Sequence, residues 1–286
     1  MKVPHLPISR RTLAIAAALT ATVSLAIGAH AALNLRALDA AKAVGTEDGS
    51  RLPRKASRVA LIIGNGHYPD AAAPLAQPIN DARALTASLR RDGFDVDVVE
   101  DANRDDMIRA VDRLRGRIRS DSVVMLFFGG YGVQVGRESF MIPVDAAIWK
   151  ESDVRRAGVS VESVLEVMKA QGARAKLVVM DASRRNPYER RFRSYSHGLA
   201  PINAPDKALI LTSATPGKVV EDSNGQHSVL VAELLKNLAT EGLDADAVFN
   251  RTRVAISRAS EGEQVPSVSS SLLEDIRFAA ADSSGG

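Results

Sequence analysis

With 286 residues, 45% of them hydrophobic and 25% charged, the chain can build one or two globular domains with a sizeable core. Aromatic residues make up only 4%, so that core must come mainly from Val, Leu, Ile and Ala. Cysteine is absent, which excludes disulfides, thiolate metal sites and any thiol nucleophile. Of the 37 basic residues, Lys2, Arg10 and Arg11 lie in an N-terminal segment without Asp or Glu; the 34 that remain equal the 34 acidic residues, so no global basic field points to nucleic acid.

Residues 1–31 have the pattern of an export signal. Ser9-Arg10-Arg11-Thr12-Leu13 resembles a twin-arginine motif, Leu13–Ala29 is an Ala/Leu/Ile-rich core, and Ala29-His30-Ala31 fits an A-x-A cleavage site. A periplasmic, exported protein is the expectation. The alternative is an inner-membrane anchor facing the periplasm, since the apolar run sits at the short edge of spanning length. Residues 32–57 combine a short helix pattern (Leu33, Leu35, Leu38) with a polar linker, and the folded domain is expected to run from 58 to 278.

Val59–Gly64 reads as the first buried strand. The loop Gly64-Asn65-Gly66-His67-Tyr68-Pro69 carries two glycines, but Pro69 and Pro74 forbid the immediate helix that a phosphate cradle needs. Asn80 or Asp81 is placed to cap a helix over 82–91. A second strand, Asp95–Glu100, precedes a helix over 104–119. There Arg109, Arg113, Arg115, Arg117 and Arg119 are balanced by Asp105, Asp106 and Asp112 and read as a solvated face. Val123–Phe128 is a third strand that breaks into Gly129-Gly130-Tyr131-Gly132, followed by a hairpin over 133–144. A helix over 159–171 ends at Gly172, and the apolar run Leu177–Met180 then breaks into Asp181-Ala182-Ser183-Arg184-Arg185-Asn186-Pro187. A loop over 188–205 interleaves Arg190, Arg191 and Arg193 with Phe192 and Tyr195. One more strand (207–214), a turn-rich stretch (215–225) and helices over 229–238 and 245–259 complete the pattern, with a loose tail over 279–286.

Uninterrupted apolar runs in an alternating α/β chain read as strands buried on both faces of a parallel sheet, and such sheets hold their ligand sites at the carboxyl ends of the strands. The segments 129–132 and 181–187 therefore face one crevice. Together they resemble the bacterial caspase-like peptidases of the caspase/metacaspase superfamily, peptidase family C14. In that family the first strand end carries a catalytic His, and the second reads Asp-Ala-Cys-Arg-x-Asn-Pro. The caspase His precedes the Cys by roughly 50 residues; here position 131 precedes position 183 by 52 (183 − 131). The segments 140–145, 215–225 and 264–272 resemble further family motifs in the same order. The resemblance implies a three-layer α/β/α caspase-like sandwich around a mostly parallel six-stranded sheet. It also implies that the dyad is lost, because Tyr131 stands at the His position and Ser183 at the Cys position.

A cysteine peptidase needs a thiolate, a base to form it and donors for the oxyanion. A Ser hydroxyl is a far weaker acid, and a phenol with a pKa of about 10 is a poor base at pH 7. Tyr131 is expected to bond Ser183 and fill the imidazole space. The resemblance places the oxyanion donors at the amides of Gly132 and Ser183. It places an acidic pocket for Arg or Lys at Asp81 and Asp181, a pair able to hold a guanidinium. The preferred function is a catalytically inactive protein that binds a basic peptide or partner protein through the crevice. One alternative is a hydrolase that uses Ser183, with His67, His197 or His227 as base, to cleave after Arg or Lys; a second is a purely structural interaction domain. The basic loop over 188–205 has a nucleic-acid reading, but the family's mobile basic loop is the plainer account and no nucleic acid is expected. No cofactor is expected, and five scattered histidines offer no metal-ligand spacing.

Overall fold

The computed structural model describes residues 57–69, 74–185, 187–188, 198–220 and 225–278. The expected export signal, nearly all of the linker, His197, the basic stretch 189–197 and the tail over 279–286 lie outside the described residues.

The central sheet is built from β1 (Arg58–Gly64), β2 (Asp95–Glu100), β3 (Val123–Gly129), β7 (Ala175–Asp181), β8 (Ala208–Thr212) and β9 (Ser267–Ser270), in the order β2-β1-β3-β7-β8-β9. Every pair is parallel except β8 with β9, which is antiparallel. A second, three-stranded antiparallel sheet joins β4 (Gly132–Val135), β5 (Glu138–Met141) and β6 (Val159–Ser160). The helices are α1 (Pro78–Arg91), α2 (Arg104–Arg117), α3 (Glu151–Ala157), α4 (Val161–Ala170), α5 (Val229–Leu238) and α6 (Ala245–Ala259).

The continuous apolar runs have a direct cause in the two-residue period of a strand. In β3, Val123, Met125 and Phe127 point into a core shared with α1, α5 and α6, while Val124, Leu126 and Phe128 point into a second core shared with α2 and α4. Both faces are covered, so neither can be polar. Together they form the three layers of an α/β/α sandwich. A third apolar cluster joins Tyr68, Leu75, Val133, Phe140, Ile142 and Tyr188, and packs the small sheet beside the carboxyl end of the large one.

Two helices differ from the sequence pattern. The first begins at Pro78 rather than at 82: proline presets the first helical φ and lacks the amide that would have gone unpaired there, and the Gln77 N-cap makes no side-chain cap bond. Asp81 is therefore a first-turn residue and not the cap. The third helix is preceded by α3, which the pattern did not show. Residues 159–160 are instead drawn into the small sheet against Phe140 and Met141, and Ser160 then caps α4 by accepting the Ser163 amide at 3.2 Å. Among the described residues no helix is long and apolar enough to cross a membrane.

Candidate functional site

The register of β3 against β7 pairs Gly129 with Asp181, so the spacing of 52 residues (181 − 129) is a property of the sheet itself. Beyond the last pair the chains stay together. Gly130 N donates to Asp181 O at 3.2 Å, and Gly132 N donates to Ala182 O at 3.1 Å. Gly132 has no room for a side chain, since a Cβ there would lie 2.5 Å from Leu199 Cδ2 and 2.9 Å from Ala182 Cβ. Tyr131 is held mainly through its backbone. Its amide donates to Tyr68 Oη at 3.1 Å, Tyr68 Oη donates to Ile142 O at 2.9 Å, and Ile142 N returns a bond to Tyr131 O at 3.0 Å. The half-buried Tyr131 ring meets Tyr68 edge-on, with 4.8 Å between centroids. Burial pushes the Tyr68 hydroxyl well above the usual phenol range, so it serves as a neutral linchpin. Buried Asn65 braces the same corner: its amide nitrogen donates to Ala102 O at 3.3 Å and Ile142 O at 3.2 Å, and its oxygen accepts Ala102 N at 2.8 Å.

Ser183 is brought to the same strand end, but only 1% of it is exposed. Its amide donates to Ser213 Oγ at 3.3 Å and its carbonyl accepts Val220 N at 2.7 Å, while Oγ has no hydrogen-bond partner. The expected bond from Tyr131 to Ser183 is therefore not formed. The Tyr131 ring packs instead against Tyr68 and the apolar cluster of the small sheet. Among the described residues no side chain hydrogen-bonds Ser183 Oγ, a contact that nucleophilic catalysis requires. Gly132 and Ser183, the positions assigned to the oxyanion, both donate their amide protons inside the protein in this conformation.

The two carboxylates converge from different elements. Gly64, at the end of β1, lets the start of α1 sit against the sheet edge: a Cβ there would fall 2.4 Å from Pro78 O and 2.8 Å from Ala82 Cβ. This close approach carries Asp81, fully buried, to the crevice. Its Oδ1 contacts His227 Nδ1 at 2.9 Å, and both its oxygens accept the Ser228 amide at 3.2 Å. Burial, and secondly the negative charge of Asp181, push the Asp81 carboxyl up to about 6 against the hydrogen bonds from Ser228 and His227. Asp181 is 4% exposed, and its Oδ2 accepts no hydrogen bond. Arg184 Nη2 stands 3.6 Å from that oxygen, while Arg184 Nη1 donates to Gly130 O at 3.0 Å and also to Asp181 O. The Arg184 guanidinium is thus a buried brace between the two strand ends.

Of the histidines weighed as bases, His67 pairs with Asp101 at 2.5 Å with 73% of its side chain exposed, apart from Ser183 Oγ, and His197 lies outside the described residues. Of the two described, His227 is the one tied to a buried carboxylate of the crevice. Among the described residues no group of three or more His, Asp or Glu side chains is arranged to hold a metal ion. Sequence reasoning missed Asn65, Tyr68, Arg184, Ser213 and Ser228. Only Arg184 carried a signal, as the residue after Ser183 in the Asp181–Pro187 motif.

A family model described as the caspase domain, of the C14 peptidases, matches residues 57–277. Over 138 residues the chain is 30% identical to the human mucosa-associated lymphoid tissue lymphoma translocation protein 1, and equally to its mouse homolog. Those matches cover 48% of this chain and 16% of each relative, so the chain spans only a small part of the length of the curated relatives it matches.

Proposed function

This chain belongs to the caspase domain family, and from that premise we propose that it is a non-catalytic member, with Tyr131 and Ser183 in the places of the dyad, whose crevice takes a basic side chain of a peptide or partner protein. Two observations support the loss of catalysis. Among the described residues Ser183 Oγ touches no base, and the amides of Gly132 and Ser183 are already donating to Ala182 O and Ser213 Oγ. Substituting the dyad removes the nucleophile, and engaging both amides removes the stabilisation that would remain without it.

The binding reading rests on a single observation: two buried carboxylates share the crevice, and one of the Asp181 oxygens is without a hydrogen bond. Buried ionised groups need hydrogen bonds as well as opposite charge; Arg184 Nη1 goes to main-chain carbonyls, and Arg184 Nη2 lies beyond hydrogen-bond distance of Asp181 Oδ2, at 3.6 Å. An incoming guanidinium or ammonium group would supply what is missing. The matching experiment titrates an arginine-containing peptide against the wild-type chain and Asp181→Asn. The expected result is binding that weakens at least tenfold in the variant; equal binding, or none in either, removes the reading.

One observation favours a second reading. A histidine whose Nδ1 is held by a buried carboxylate has the orientation of a general base, so His227 with Asp81 could serve Ser183 after a rearrangement that brings them together. Arginyl and lysyl ester and amide reporters separate the two readings. Turnover that disappears in Ser183→Ala would establish the hydrolase. The expected result is no turnover in either protein. The N-terminal pattern supports export to the periplasm as part of the same proposal, and cell fractionation tests it.

A further inference from the structure

The first turn of α1 grips the segment that enters α5. Gln77 Nε2 donates to Gly225 O at 3.1 Å, Asn80 Nδ2 donates to Gln226 O at 3.3 Å, and Asp81 receives both His227 and the Ser228 amide. Ser228 is in turn the N-cap of α5, its hydroxyl accepting the Val231 amide at 3.2 Å. His227 is thus fixed from both sides, one residue before a helix and directly on a buried acid. The carboxylate itself reaches no solvent, whereas 27% of the imidazole side chain does. A ligand that enters from solvent toward Asp81 Oδ1 therefore meets the imidazole.

We propose that His227 is the resident partner of Asp81 and must leave it before a basic side chain can be held there, so that His227 sets how tightly, and at which pH, the crevice takes that side chain. The inference rests on the reading of the crevice as a site for basic groups and adds the residue that controls entry. The geometry is a competition for one acceptor. Oδ1 already receives His227 and Ser228, and both oxygens share the Ser228 amide, so a guanidinium gains Oδ1 only by displacing the imidazole. Among the described residues the charged group acting on this contact is Asp181 at the end of β7, itself 3.6 Å from Arg184, while α1 and the entry to α5 add the neutral Gln77, Asn80 and Ser228. Acidification weakens ligand binding by neutralising Asp81, whose carboxyl already lies near 6 and is held down in part by the His227 hydrogen bond.

The test uses the full chain with acetyl-arginine amide as ligand and acetyl-citrulline amide as its neutral control, titrated from pH 5.5 to 8. Wild type is expected to bind the arginine ligand more tightly as pH rises. His227→Ala and His227→Gln are expected to bind it more tightly than wild type at pH 7.5–8, by about tenfold where the whole charged hydrogen bond is lost, and to lose that binding at a higher pH on acidification, because the His227 hydrogen bond holds the Asp81 carboxyl down. His227→Lys, a permanent cation on Asp81, is expected to bind it weakly at every pH. The His227 ring resonances should shift on saturation with the arginine ligand and not with citrulline. Equal affinities in wild type and all three variants, with unmoved ring resonances, would overturn the inference while leaving the crevice reading intact. Absence of binding in every protein, including His227→Ala, would overturn both.

Discussion

Asp81→Asn is expected to stabilise the protein above neutral pH and not below pH 4. The native carboxyl titrates near 6, whereas an Asp in the unfolded chain titrates near 3.9, so the folded state holds the proton more tightly. The contribution of this group to stability is fully present below about pH 4 and is lost as pH rises through 6. Above that range the ionised Asp81 destabilises the fold by about 3 kcal/mol, the free-energy equivalent of the difference. The substitution removes the buried charge and keeps an oxygen for the Ser228 amide, and the bond to His227 is already contained in the shifted carboxyl. A gain of about 2–3 kcal/mol at pH 8 follows, which for a domain of this size raises Tm by about 4–12 °C. Calorimetric melts of wild type and variant between pH 4 and 8 read this directly. The reasoning is refuted if the difference in Tm is the same at both ends of the range, or if the variant is the less stable protein at pH 8.

Three further outcomes follow from named contacts. Arg184→Met should destabilise by about 3–5 kcal/mol in urea unfolding, because it takes the donor from the Gly130 carbonyl, leaves the Asp181 carbonyl with the Gly130 amide alone and leaves a buried carboxylate unpaired. Arg184→Lys should recover less than half, since one ammonium cannot reproduce the planar fork, and full recovery would show that charge alone matters there. Asn65→Ala should lose about 1–3 kcal/mol, because the buried Ala102 amide loses its acceptor while the carbonyls of Ala102 and Ile142 each lose one of two donors, and a loss under 1 kcal/mol would mean that Tyr68 holds the corner alone. Tyr131→His with Ser183→Cys should leave arginyl and lysyl reporters uncleaved, since the amides of Gly132 and Ser183 are still engaged; measurable turnover would show that the dyad was the only thing missing.

The sheet was legible because its strands are buried on both faces. A run such as Val123–Phe128 can be little else, and the pairing of Gly129 with Asp181 explains why the distance between two sequence motifs carried over to space. The start of α1 was less legible, because Asn80 and Asp81 have the chemistry of caps while Pro78 has the geometry of a first helical residue. Side-chain partners at the site were least legible. Nothing in the local sequence of Ser213 or Ser228 shows that their oxygen and amide would meet Ser183 and Asp81, which lie 30 and 147 residues away along the chain. Arg184 was visible as a motif position, but its work as a brace depends on Gly130, 54 residues earlier. Contacts of this kind are made by the topology, and a single sequence does not encode them in any periodic form.

The proposed loss of catalysis and the proposed binding role draw on opposite features of one crevice. On the Ser183 side every main-chain group is satisfied: the amide has Ser213, the carbonyl has Val220, and the hydroxyl is sealed in with 1% exposure. On the Asp81–Asp181 side the chain tolerates a carboxyl held up near 6 and an oxygen without a hydrogen bond, an arrangement that lowers the stability of the fold at neutral pH. Packing alone gives no reason for that asymmetry, since an Asn at position 81 would still accept the Ser228 amide. A site that waits for a cation does give a reason, because the penalty of the unpaired charge is relieved only when the ligand is bound and so adds to its affinity. The same reasoning makes Asp181→Asn and Asp81→Asn informative together: Asp81→Asn should stabilise the empty protein above neutral pH, Asp181→Asn should not, because it leaves the buried Arg184 without its carboxylate, and each should weaken the hold on an arginyl ligand.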